Sequence, residues 1–255
     1  MFINNFDPIA LNLLSFEIRW YSLAYIFGIL IGWFYIKKFL IKDERINKDF
    51  DDLISYLIIG IIVGGRLGYV LFYNFNYYLN NFYEIFFLWE GGMSFHGGLI
   101  GVIASTLIFC RRRNIDSLIF LDCISAVAPI GIFFGRIANF LNSELYGKET
   151  TVPWSFVFKR VDNIARHPTQ LYEAALEGIL LFIILNILIK INPLSKKGFI
   201  SSIFLILYSI FRFFIEFYRE PDPQLGYLIF NFTMGQILSL FLLAIGIIIF
   251  FKNEK

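Results

Sequence analysis

Charge is scarce in this chain. Only 16% of its 255 residues are Asp, Glu, Lys or Arg, where a soluble domain carries roughly a quarter. Cysteine is nearly missing too. Cys110 and Cys123 lie beside or within apolar runs, which leaves no disulfide framework and no metal spacing. The net charge is +2 with no basic arm or tail, so nothing points to a nucleic-acid partner. Internal repeats, Pro/Ser linkers and low-complexity tracts are absent, which excludes solenoids and strings of modules. The first residues, MFINNFDPIALNLLSFEIRWYS, lack a basic n-region and a small-residue cleavage site, so no removable signal peptide is expected. What remains is apolar: 58% hydrophobic and 20% aromatic residues, with a mean hydropathy of +0.67. That composition is one of a protein dissolved in lipid.

A bilayer core about 30 Å thick needs about 20 apolar residues per helix. Seven segments qualify: 20–41, 53–73, 94–110, 117–136, 173–190, 199–218 and 230–251. Backbone groups in lipid must pair within their own segment, so these are expected to be helices. The expectation is a single all-α integral membrane domain, 1–255, with a small outside loop or head region at 137–172. Lys and Arg gather in alternate loops: Lys37, Lys38, Lys42, Arg45 and Lys48, then Arg111 to Arg113, then Lys190, Lys196 and Lys197, then Lys252 and Lys255. The positive-inside rule puts these in the cytoplasm with the C-terminus, and the N-terminus outside. FNYYLNNFYEIFFLWEGG at 75–92 has eight aromatics and no Lys or Arg, and is expected outside along the interface.

On that topology the polar groups inside the spans fall at one depth. Arg66, Arg136 and Arg212 lie in the outer parts of spans two, four and six, and His96 and Tyr21 start spans three and one. Charge that deep costs at least a few kcal/mol and faces a bundle interior or wet cavity. One outward-opening polar cavity follows. Each member also has a plainer role open to it. Arg66 in VGGRLGYV either snorkels or joins the cavity. Arg212 and Glu216, four apart, make either a private ion pair or, with Tyr208, one functional face. His96 in MSFHGGLIG is either a satisfied interfacial histidine or a neutral base kept so by a helix N-terminus capped by Ser94. His167 reads as structural, with Thr169 capping span five, and Glu173 and Glu177 are candidate partners for the arginines. Arginine forks with a base suit a phosphodiester, and the phosphate at that depth is a phospholipid headgroup. A transporter would show broken helices at the midplane, and none is visible; a receptor would need no base.

The string GRIANFLNSELYG at 135–147 resembles the signature of the prolipoprotein diacylglyceryl transferases. RWYSLAY (19–25), GGRLGYVLFY (64–73), GGMSFHGGLIG (91–101), RHPTQLYEA (166–174) and YSIFRFFIEFYREPD (208–222) resemble further blocks of that family, in the same order. The resemblance implies transfer of a diacylglyceryl group from phosphatidylglycerol to the lipobox cysteine thiol of a prolipoprotein, releasing glycerol-1-phosphate. It implies seven helices in the bacterial inner membrane, a site facing the periplasmic leaflet, no cofactor or metal, and a monomer partnered by the bilayer rather than nucleic acid. It implies that Arg136 and Arg212 hold the lipid phosphate and that His96 helps deprotonate the thiol. Tyr208 joins the catalytic group, and Tyr21, Asn139, Glu144, Gly147, Glu216 and Arg66 the lipid-binding one.

Overall fold

The structure, a computed structural model, describes residues 1–13, 16–88, 91–191, 196–221 and 226–252, apart from the side chains at 13, 16, 95, 96 and 229. Trp89, Glu90, Asp222 and Lys255 lie outside the described residues, as does the His96 side chain. Helices occupy all seven apolar segments. They are α1 (Trp20–Leu40), α2 (Glu44–Phe72), α4 (Phe95–Arg113), α5 (Ser117–Leu141), α6 (Thr169–Ile191), α7 (Phe199–Ile215) and α8 (Met234–Lys252). The short α3 (Phe75–Asn80) lies in the aromatic stretch between α2 and α4. Five of them (α1, α2, α5, α6 and α8) are long and apolar enough to cross a membrane. The chain is a predominantly helical, multi-pass membrane protein by composition and helix length.

Helix ends follow local chemistry more than apolar content. α2 begins at Glu44, well before residue 53, because the Asp43 side chain accepts hydrogen bonds from the backbone N–H of Arg45 and Ile46. α4 begins where Ser94 Oγ accepts from Gly97 N–H, the cap expected from sequence. Thr169 is not a cap. It is the first helical residue of α6, and its hydroxyl donates instead to the Leu145 carbonyl at 3.0 Å.

The chain forms two compact units, one of residues 1–36 and 122–255, the other of residues 37–121. In the second, α2 and α4 meet along glycines: a Cβ on Gly64 would strike the Gly97 carbonyl, and one on Gly101 the Gly60 carbonyl. Small residues let two backbones approach where lipid supplies no hydrophobic drive. In the first unit, β1 (Phe2–Asn4) pairs parallel with β4 (Phe156–Phe158), and β4 pairs antiparallel with β5 (Ala165–Arg166). β2 (Ile9–Leu13) and β3 (Phe16–Arg19) make a separate hairpin before α1. The 137–172 region therefore holds more than a loop. α5 runs on to Leu141, and the remainder is tied down by the first strand of the chain.

Burial is inverted relative to a soluble core. Ile26, Leu30, Ile59, Phe241 and Ile248 are exposed, while Asp122, Glu173, Glu177, Arg212 and Glu216 are buried. Apolar side chains face the solvent they suit, which is lipid, and the charges face inward.

Candidate active site

The first unit gathers the polar residues of three helices. α5 brings Arg136 and Asn139, one turn apart; α6 brings Glu173 and Glu177; α7 brings Tyr208 and Arg212 and ends at Glu216. Arg136 Nε lies 3.2 Å from Glu173 Oε2, and its Nη2 3.2 Å from Glu177 Oε2. Arg212 Nη1 pairs with Glu173 Oε1 and lies 3.9 Å from Glu177 Oε1, while its Nη2 is 2.7 Å from Glu216 Oε2. Arg219 Nη1 approaches Glu216 Oε2 at 3.5 Å. Three cations thus meet three carboxylates, and their formal charges cancel. Buried charge is tolerated only when paired in this way. Both glutamates of α6 are fully buried, while 16% of the Arg136 side chain stays accessible.

A helical distortion brings the two glutamates to the arginines. Residues Ala174–Leu180 of α6 are π-helical, and Glu177 lies in that stretch while Glu173 directly precedes it. A π turn shifts the register of one residue against its neighbour, and such turns recur at functional sites. Glu216 is fixed from α8: Thr233 Oγ1 donates to its Oε1 at 3.0 Å, and a Cβ on Gly235 would stand 2.7 Å from the same oxygen. The Tyr208 hydroxyl faces the Arg136 guanidinium and Glu177.

Beyond α5, the chain turns back through Ser143 and Leu145, both at positive φ. Glu144 accepts from the Tyr21 hydroxyl at 2.7 Å and from Asn142 Nδ2 at 3.4 Å, and Asn139 Nδ2 donates to the same hydroxyl. Gln170 Nε2 holds the Glu144 carbonyl at 2.6 Å. Gly147 lies between two strands of chain: its N–H donates to the His167 carbonyl at 2.9 Å, and a Cβ there would fall 2.6 Å from His167 Cβ and 2.8 Å from the Tyr218 carbonyl. Only glycine fits that passage. His167 is structural, as its sequence context suggests. Its Nδ1 meets the Tyr172 hydroxyl at 3.1 Å, and Tyr218 packs edge-on at 5.2 Å. Desolvation pulls its pKa below the ordinary value.

The structure therefore brings together Tyr21, Arg136, Asn139, Glu144, Gly147, Tyr208, Arg212 and Glu216, all in the first unit. Arg66 and His96 belong to the second. Arg66 does not snorkel. It is 4% exposed, and its guanidinium is spent on the backbone carbonyls of Glu84, Ile85, Phe87, Gly91 and Gly92. His96 is the second residue of α4. Sequence reasoning missed Arg219, Thr233, Gly235 and Gln170, and also Gln236, whose Oε1 accepts from the Thr233 N–H at 3.1 Å. Arg219, three residues past Glu216, was open to the same spacing argument that singled out Arg212.

A buried arginine–glutamate network carried by apolar helices defines a class: helical membrane proteins with a charge-compensated cluster in the bundle interior. The family follows from comparison. The model of the prolipoprotein diacylglyceryl transferase family matches residues 8–252. The chain is 49% identical over 253 residues to the phosphatidylglycerol–prolipoprotein diacylglyceryl transferase of Rickettsia bellii, covering 98% of this chain and 96% of that one. It is 50% identical over 250 residues to the enzyme of that name from Rhodospirillum rubrum, covering 96% and 91%. The one from Ehrlichia canis is 50% identical over 244 residues, covering 94% and 93%. The chain belongs to the prolipoprotein diacylglyceryl transferase family.

Proposed function

We propose that the protein transfers the diacylglyceryl group of phosphatidylglycerol to the lipobox cysteine thiol of prolipoproteins. The observation that supports this reading best is the Arg136–Arg212 pair, held on two helices by shared glutamates of a third. The cysteine sulfur attacks the carbon of the diacylglyceryl group that is bonded to the phosphate oxygen. A carbon–sulfur bond forms, the carbon–oxygen bond breaks, and glycerol-1-phosphate leaves with the bonding electrons. Negative charge grows on the leaving phosphate, and guanidinium forks facing it stabilise that charge more in the transition state than in the ground state. Arg136, the partly accessible member, meets the phosphate first, and Arg212 lies behind it. Tyr208 and Glu216 orient these two arginines. Tyr21, Asn139 and Glu144 form a second hydrogen-bonded set at the end of α5, and Gly147 keeps the chain beyond it folded back. His96 takes the thiol proton, since an ordinary cysteine near pKa 8.5 is mostly protonated at neutral pH.

The same reading makes the chain one integral membrane domain of seven spans in the bacterial inner membrane. The N-terminus and the 137–172 head are periplasmic, the C-terminus is cytoplasmic, the site faces the periplasmic leaflet, and the enzyme works as a monomer. Loop charge supports that orientation. The test is direct. Purified protein, phosphatidylglycerol vesicles and a lipobox peptide yield a thioether-linked diacylglyceryl peptide with equimolar glycerol phosphate. Peptide left unmodified under those conditions, or modified without release of glycerol phosphate, overturns the reading.

A further inference from the structure

Arg66 stands in α2 between Gly64 and Gly68, two glycines of the seam with α4. A guanidinium has five N–H donors, and all five are used here on backbone carbonyls. Nε–H donates to Ile85 at 2.8 Å. The Nη1 hydrogens donate to Gly91 and, at 3.2 Å, to Gly92. The Nη2 hydrogens donate to Glu84 at 2.6 Å and Phe87 at 3.2 Å. The ring of Tyr78 faces the guanidinium, 5.3 Å from its centroid. No donor is left for a lipid phosphate.

The clamp needs an unusual turn. Gly91 and Gly92 both have positive φ, 83° and 76°, which aims two successive carbonyls at one nitrogen. Ser94 N–H then donates to the Gly65 carbonyl at 2.9 Å, and Ser94 Oγ caps α4. The described chain from Glu84 to Ser94 is thus pinned to the same turn of α2 at both ends, and α4 starts from that anchor. His96 is in its first turn.

We propose that Arg66 is a positioning residue for the transfer reaction. By clamping the carbonyls of Glu84, Ile85, Phe87, Gly91 and Gly92 it fixes where α4 begins and therefore where His96 stands. This inference rests on the reading of His96 as the base that takes the thiol proton. Lysine in place of Arg66 keeps the positive charge but offers three donors around one point where five are needed in a fork.

A double-mutant cycle with pH–rate profiles tests this. Arg66→Lys is expected to lower kcat by about 10–100-fold, the weight of a misplaced catalytic group. The KM for phosphatidylglycerol in mixed micelles is expected to hold within about twofold, the scatter of ordinary additivity. In a His96→Gln background, Arg66→Lys is expected to cost nothing further, because the group it positions is gone. Gly91→Ala provides a milder second variant. A Cβ there meets nothing within 4 Å, so it strains the turn without a clash. Its smaller loss is likewise expected to vanish in the His96→Gln background. Additive losses, or a raised lipid KM with unchanged kcat, would overturn the inference while leaving the base reading in place. A His96→Gln enzyme of wild-type rate would remove the base reading and this inference together.

Discussion

At the scale of single residues, the site is an exercise in charge compensation. Glu173 serves both Arg136 and Arg212, and its side chain is fully buried. Replacing it by Gln leaves three arginines facing two carboxylates in a buried setting. The expected cost is about 3 kcal/mol, the lower end for removing one partner of a buried ion pair. Thermal unfolding in detergent checks this. Added phosphatidylglycerol is expected to raise the midpoint of Glu173→Gln more than that of wild type, because its phosphate meets the excess positive charge. Equal shifts would mean that the phosphate binds elsewhere. His96 makes a second residue-scale test. If it is the base, His96→Gln lowers turnover by about 10²–10⁴-fold. Raising the pH toward the thiol pKa restores part of the loss, since hydroxide then supplies thiolate. Parallel pH–rate profiles for the two enzymes would show that the arginine field activates the thiol instead.

At the scale of elements, the head is held by a few local devices. Arg166 donates to Asp162 at 2.6 Å from Nη2 and 3.1 Å from Nε, which holds the Asp162 carboxyl below its ordinary value. His167 next to it is pulled below its ordinary value, near 6.5, by desolvation. Both folded values are depressed, so both contributions are full above the unfolded pKa and fall away as pH drops. Asp162 acts only below about its ordinary 3.8, and His167 acts from about 6.5 downward. Between pH 6.5 and 5 only His167 of this pair titrates. Hydrogen exchange of the 147–168 backbone is expected to quicken over that range, and His167→Gln is expected to flatten the dependence. An unchanged slope in that variant would assign the effect to another group.

The same elements show what a sequence can carry. Apolar runs are visible because lipid replaces the core: helices occupy all seven of them, and five are long and apolar enough to cross a membrane. The Tyr208, Arg212 and Glu216 face was legible because it follows the helical period within one element. Glu173 and Glu177 were legible as partners by their position just inside α6. The clamp of Arg66 was not, because its acceptors are backbone carbonyls, which every residue carries alike. The pairing of β1 with β4 joins residues 2–4 to residues 156–158, and three-residue strands hold too little period-two pattern to register. Thr169 was read as a cap because its type and place fit, while the Leu145 carbonyl nearby in space claimed its hydroxyl.

At the scale of the whole molecule, what matters is which side of the membrane each region meets. Cysteines introduced near Lys148 are expected to react with a maleimide that cannot cross the membrane, applied to spheroplasts. Cysteines near Lys42 are expected to react only after permeabilisation. The reverse pattern would move the proposed site to the cytoplasmic leaflet and away from secreted prolipoproteins. The division of the chain into two units has its own consequence. The arginine network lies within residues 1–36 and 122–255, whereas His96 and its Arg66 anchor lie within 37–121. Losses in phosphate affinity are expected from the first set and losses in thiol activation from the second.

The central claim is that a pair of arginine forks holds the lipid phosphate during transfer. Its most direct test is steady-state lipidation of a lipobox peptide by Arg136→Lys and Arg212→Lys, each with phosphatidylglycerol varied in mixed micelles. Lysine keeps the charge and loses the bidentate geometry. Each variant, folded and extracted at wild-type yield, should lose on the order of 10²–10³-fold in kcat/KM for the lipid, the weight of one removed transition-state donor, while the peptide KM stays unchanged. Turnover within a few-fold of wild type by both lysine variants would contradict the claim.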